Sequence, residues 1–144
     1  MRTNAMKALL KAGKPALGCS IMIPSPQMVE MAAHAGFDWV LIDMEHGTIG
    51  LESAELMVMA AEARGITPIV RPRSNASAEI TSVMDRGAAG VQVPHINTAA
   101  DARRIIGELC QSMGARTVAK SKSMVAEEIA LNEHLEALGI APVE

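Results

Sequence analysis

Apolar positions follow two alternating rhythms along the chain: short dense runs, and longer stretches in which apolar residues recur every three or four positions. Residues 4–12 (NAMKALLKA) read as a short amphipathic helix capped by Asn4 and stopped at Gly13. Residues 16–23 (ALGCSIMI) form a compact apolar run of strand length. Ser25-Pro26 then supplies an N-cap with proline at the first helical position, and the helix runs through MVEMAAHA to a stop at Gly36. Residues 38–43 (DWVLID) are nearly all apolar, as a parallel strand covered on both faces must be.

The alternation continues. Helices are expected over 52–64, 77–86, 98–112 and 124–138, with strands at ITPIVR (66–71), AGVQVP (89–94) and ARTVAK (115–120). Gly139 ends the last helix, and IAPV (140–143) is placed to begin another strand. This βαβα order predicts an α/β parallel architecture. The pattern leaves the fold open between two forms. A flavodoxin-like sheet of five or six strands suits 144 residues, whereas a (β/α)8 barrel needs about 250. Length alone favours the open sheet.

Composition changes one part of this picture. One Trp, one Phe and no Tyr stand against 11 Met, so aliphatic and thioether side chains are expected to fill the core. Residues 1–107 carry ten basic and ten acidic groups, and residues 108–144 carry three and six. A neutral body with a mildly acidic end, almost without aromatics for base stacking, argues against nucleic acid as a partner. No run approaches the ~18 apolar residues of a membrane span, and Met1 to Lys14 lacks the apolar stretch of a signal peptide. Cys19 and Cys110 form no CxxC pair and suit a reducing compartment. The expectation is a cytoplasmic protein.

Chemistry is expected where parallel strands end and loops begin. The strand DWVLID runs into MEHG, so Asp43, Glu45 and His46 emerge there. His46 could serve as general base or metal ligand, because imidazole exchanges protons near neutral pH; it could equally sit in a cluster that only caps the next helix. The next strand ends at Arg71, whose planar fork suits a carboxylate or phosphate, the plain alternative being a surface salt bridge. Two strands delivering His and Arg to one rim imply a carboxylic acid substrate with a proton to be moved. Asp85 closes the helix 77–86, against the macrodipole. It could orient His46 or pair with Arg86 or a lysine. His34 reads as a C-terminal helix cation, His95 as a rim residue and His134 as solvated. No GxGxxG or GxxxxGK[ST] is present.

LKAGKPALG, AGFDWVLIDMEHG, PIVRPRSN and VMDRGAAGVQVPHINTAADAR, in that order, resemble the HpcH/HpaI aldolase family over about residues 4–107. The resemblance implies a (β/α)8 TIM barrel, here about its first half, in place of the open sheet. It implies cleavage of 4-hydroxy-2-oxo acids to pyruvate and an aldehyde, a divalent metal (Mg2+, Mn2+ or Co2+), a small 2-oxo acid substrate and a homo-oligomer. By position, His46 matches the family's base, Asp85 its acidic partner and Arg71 the arginine that holds pyruvate. The family's metal-binding Glu and Asp lie on later strands, so no metal ligand is assigned in this chain. After about Gly107 the expected proline- and glycine-rich segment leading to GxRG is missing. GARTVAKSKSMVAEEIALNEHLEALGI instead resembles a fragment of the LUD-domain lactate utilisation proteins, over about residues 114–140. The expected organisation is therefore a half barrel (1–107) joined near 107–114 to an extra strand–helix unit (108–144). Two other functions stand beside the lyase: a non-catalytic truncated or chimeric α/β module, and a lactate-utilisation accessory fragment.

Overall fold

The computed structural model describes residues 4–119 and 124–143, and realises the alternation element by element. Most of the KSKSM stretch therefore lies outside the described residues. Asn4 caps α1 (Ala5–Lys11) by accepting from the Lys7 N–H. β1 (Gly18–Ile21) follows, then α2 (Pro26–His34), capped by Ser25 with Pro26 at its start. β2 (Trp39–Asp43), α3 (Leu51–Ala63), β3 (Thr67–Arg71), α4 (Ser77–Asp85) and β4 (Gly90–Val91) complete the first alternation. The expected helix stops at Gly36 and Gly65 have φ of +91° and +75°, left-handed turns that glycine enters without steric cost.

β1 to β4 form one parallel sheet in the order β1-β2-β3-β4. A flavodoxin-like sheet has its order reversed beside the first strand. No reversal occurs among these four, so the preference that length alone suggests is not realised. The ladder is short at β4 because Gln92 N–H still bonds Val70 O but Pro94 has no N–H to continue it.

The chain divides into two compact units, residues 1–74 with 78–94, and residues 75–77 with 95–144. In the first, Val40, Ile42, Ile21 and Val70 leave the sheet on one side and meet Val29 and Ala32 of α2 and Ala54, Met57, Val58 and Ala61 of α3. Among the described methionines only Met44 and Met57 are buried, and Met22, Met28, Met31, Met59, Met84 and Met113 are exposed. Branched aliphatics and alanine, rather than thioethers, make this core. α1 is fixed at the starting end of the strands, where Met6 N–H donates to Thr67 Oγ1 and Asn4 Nδ2 to Ala89 O.

The second unit contains α5 (Ala99–Ser112), β5 (Thr117–Ala119), α6 (Met124–Glu128), α7 (Leu131–Ala137) and β6 (Ala141–Val143). β5 and β6 pair in parallel. α5 groups with this unit rather than with the half expected to end at 107, because Ile106 and Cys110 pack on Leu131, Leu135 and Ile140. The single helix expected over 124–138 is broken at Ala130, whose φ is +48°. The break lets Ala126 and Ile129 fold back onto the same apolar cluster.

His134, expected to be solvated, is half-buried against α5 instead. A methyl group on Gly107 would stand 2.8 Å from both His134 Nε2 and Leu138 Cδ1. Gly107→Ala gains about 1 kcal/mol of helix propensity but overpacks this contact at about 1–3 kcal/mol. A net loss of about 1 kcal/mol is expected from urea unfolding of the full chain; a stabilised variant would show that the His134 ring simply swings away.

Candidate active site

β2 and β3 lie side by side, and their last residues, Asp43 and Arg71, are register partners. Two neighbouring parallel strands thus end in opposite charges at one level, and the ion pair follows. Asp43 is fully buried. Its Oδ1 accepts from Arg71 Nε at 3.0 Å, and its Oδ2 accepts from Arg71 Nη2. This is the bidentate fork that guanidinium offers a carboxylate. The same Oδ1 also accepts the backbone N–H groups of Glu45 and His46, each at 3.1 Å. One buried carboxylate therefore holds both the arginine and the turn that carries the histidine.

Glu45 completes the cluster. Its Oε2 stands 3.2 Å from Arg71 Nε and 3.7 Å from His46 Nε2. The His46 side chain is 59% exposed and that of Glu45 only 11%, so the imidazole faces outward while the carboxylate behind it is sheltered. Gly47 makes the turn possible by close approach. A β-carbon there would meet Asp43 O and Met22 O, and Thr48 N–H donates to Met22 O at 3.1 Å.

Arg71's hydrogen bonds hold the Asp43 carboxyl below its ordinary value, against burial and with help from the His46 N–H. Arg71 is raised in turn, first by its hydrogen bonds to Asp43. Asp43 thus gives up its proton more readily folded than unfolded. Its contribution to stability is complete above the ordinary carboxylate value of about 3.9 and is lost as pH falls through the lower folded value. Urea midpoints are expected to drop below about pH 4, and this acid limb should flatten in Asp43→Asn.

Asp85 does not join this cluster. α4 ends with it, and the chain then returns to the sheet where Ala89 N–H donates to Pro68 O. Pro68 is three residues before Arg71, so Asp85 stands by the strand starts, about 10 Å or more from the His46 rim. Among the described residues Asp85 makes no ion pair with Arg86, which reaches Glu55 (3.5 Å) and Ser82. His34 lies exposed at the end of α2 as expected. His95 has φ of +56° and its carbonyl accepts from Asn75 Nδ2 at 3.2 Å. Cys19 and Cys110 pack against the two apolar clusters, and burial pushes both thiols up. A cavity of about 980 Å³ opens at the strand starts between α1 and residues 65–68 and 87–89, away from His46 and Arg71.

The donor set does not fit the divalent metal expected from the resemblance. Asp43 and Glu45 are both turned onto Arg71, whose charge opposes a second cation, and among the described residues no three His, Cys, Asp or Glu side chains converge. No helix among the described residues is long and apolar enough to cross a membrane.

Known proteins resemble the chain in one consistent direction. The HpcH/HpaI aldolase/citrate lyase family model matches residues 18–132. A 4-hydroxy-4-methyl-2-oxoglutarate aldolase of Chaetomium globosum is 36% identical over 82% of this chain and 42% of its own length. A 4-hydroxy-2-oxo-heptane-1,7-dioate aldolase of Escherichia coli is 35% identical over 72% of the chain and 39% of its own. The chain thus spans about two fifths of the length of these relatives. The crystal structure of an HpcH/HpaI aldolase from Desulfitobacterium hafniense shares the fold, with TM-score 0.69 at 24% identity over 97% of this chain and 56% of that one. The family match runs through residues 107–114, where the sequence suggests a join, and the lactate-utilisation resemblance finds no support among these relatives.

Proposed function

Because the chain belongs to the HpcH/HpaI aldolase/citrate lyase family, we propose that it carries the base and the carboxylate clamp of a lyase that splits 4-hydroxy-2-oxo acids into pyruvate and an aldehyde. The observation that supports this most directly is the Asp43–Arg71 register pair, which sets His46 and Arg71 at one rim. Four parallel strands in sequential order are what the first half of a (β/α)8 barrel would provide, with this rim at its catalytic face.

In the proposed reaction His46 takes the proton of the C4 hydroxyl. The C3–C4 bond breaks, the aldehyde leaves, and the electron pair passes into the C2 carbonyl as an enolate. Arg71 holds the carboxylate through its remaining N–H groups and donates toward the enolate oxygen. Glu45 balances the charge that His46 acquires. Proton return to C3 gives pyruvate. Asp85 takes part only if it comes from a neighbouring copy, in keeping with an oligomer. Metal-dependent chemistry, general in this family, needs ligands from beyond these residues.

Pyruvate release from a 4-hydroxy-2-oxo acid, with Mg2+, Mn2+ or Co2+ added, tests this reading. The intact chain should exceed a His46→Ala control, and equality of the two would sink it. That result would leave a non-catalytic α/β module that keeps the family's signature. One observation favours that second reading: the two rim carboxylates are committed to Arg71 rather than free to hold a metal.

A further inference from the structure

The rim carries a second arginine that the proposed reaction does not use. Arg73 follows Arg71 across Pro72, which is fully buried. Arg73 therefore stands just past the end of β3, in the segment that leaves the rim after Arg71. Arg73 is exposed, and its Nη2 donates to Ile49 O at 3.2 Å. Ile49 is itself fully buried, in the loop that carries Glu45 and His46. The guanidinium is thus tethered to a fixed point by one N–H, and four of its five donors remain for other partners.

The charges at this rim are matched unevenly. Asp43 and Glu45 both engage Arg71. No carboxylate pairs with Arg73 among the described residues. Arg71 can offer a substrate its remaining N–H groups, but its charge is already balanced twice over. A substrate with two carboxylates would meet net repulsion unless the second one found another cation. Arg73 is that cation, held at the same rim.

We propose that Arg73 binds the distal carboxylate of a dicarboxylic 2-oxo acid, and so sets substrate class at this site. The assignment rests on the reading of the rim as a 2-oxo acid site. It makes Arg73 a specificity-determining residue, distinct from a mere clip between β3 and the loop before α3.

Isothermal titration of the full chain with 2-oxoadipate and 2-oxohexanoate tests it, since the two ligands differ only in the distal carboxylate against a methyl group. The wild type should prefer 2-oxoadipate about tenfold, the worth of one charge-assisted hydrogen-bonded pair. Arg73→Gln, which can still donate to Ile49 O, should abolish the preference, and Arg73→Lys should keep part of it. Equal affinity of the wild type for the two ligands, no binding of either, or an undiminished preference in Arg73→Gln would overturn the proposal. So would a loss of affinity for both ligands in equal proportion, the mark of a structural clip. Neither ligand has a 4-hydroxyl group, so neither can be cleaved. Failure of pyruvate release would then count against the lyase reading alone.

Discussion

Asp43→Ala is expected to cost the unit built on β1 to β4 about 3 kcal/mol, the low end of the range for breaking a buried ion pair by removing one partner. Three groups lose their acceptor at once: the Arg71 guanidinium and the backbone N–H groups of Glu45 and His46. The Arg71 side chain is only 18% exposed, so water replaces little of what is lost. Glu45 stays within reach at 3.2 Å and keeps the cost from rising further. Asp43→Asn should cost less, because the amide oxygen can still accept while the charge is gone. Urea unfolding of the two variants beside the wild type measures this. A loss in Asp43→Ala below about 1 kcal/mol, the scale of an ordinary neutral hydrogen bond, would mean that Glu45 alone suffices to hold Arg71.

Gly47→Ala is expected to cost about 2–3 kcal/mol and to displace His46, because the new methyl group would press on two backbone carbonyls. The atoms it would meet belong to Asp43, the last residue of β2, and to Met22, the residue that follows β1. Neither can rotate aside as a side chain would. The loop must therefore lift, and the Thr48 N–H bond to Met22 O goes with it. Thermal melting together with the amide chemical shifts of Glu45 and His46 checks both halves of this expectation. An unchanged melting point with unmoved shifts would refute it.

These two sites show why some of the rim is legible along the chain and some is not. His46 and Arg71 stand where strand-length apolar runs end, and that position can be read from the sequence. The partnership of Asp43 with Arg71 lies 28 residues apart in sequence. One signal points to it: two consecutive parallel strands ending in opposite charges. The role of Glu45, which touches both His46 and Arg71, has no such signal. Glu45 and His46 are neighbours in sequence, and only the shape of the turn brings their side chains to 3.7 Å.

Asp85 shows the converse. Its position in the family's pattern assigns it to His46, and nothing in a linear reading opposes that. The direction of α4 does. A helix that returns the chain to the next parallel strand must end at the strand starts, so its last residue cannot reach the opposite rim of the same copy. The break at Ala130 is hidden for a similar reason. The 124–138 stretch has helical periodicity throughout, and only the need to bury Ile129 together with Leu131 and Leu135 divides it.

The sequence by itself determined the α/β alternation, the caps and most of the helix stops, the apolar strands and the rim on which His46 and Arg71 stand. These follow from local rules: side-chain period, proline and glycine geometry, and the coincidence of strand ends with loop starts. Only the tertiary structure decided that Arg71 is paired with Asp43 and Glu45, that Arg73 is left without a carboxylate among the described residues, and that Asp85 stands by the strand starts. Each of these depends on which strands are neighbours, in what register and in what direction. A one-dimensional pattern does not contain that information, because charge pairing across a sheet depends on distance in space and not on separation along the chain.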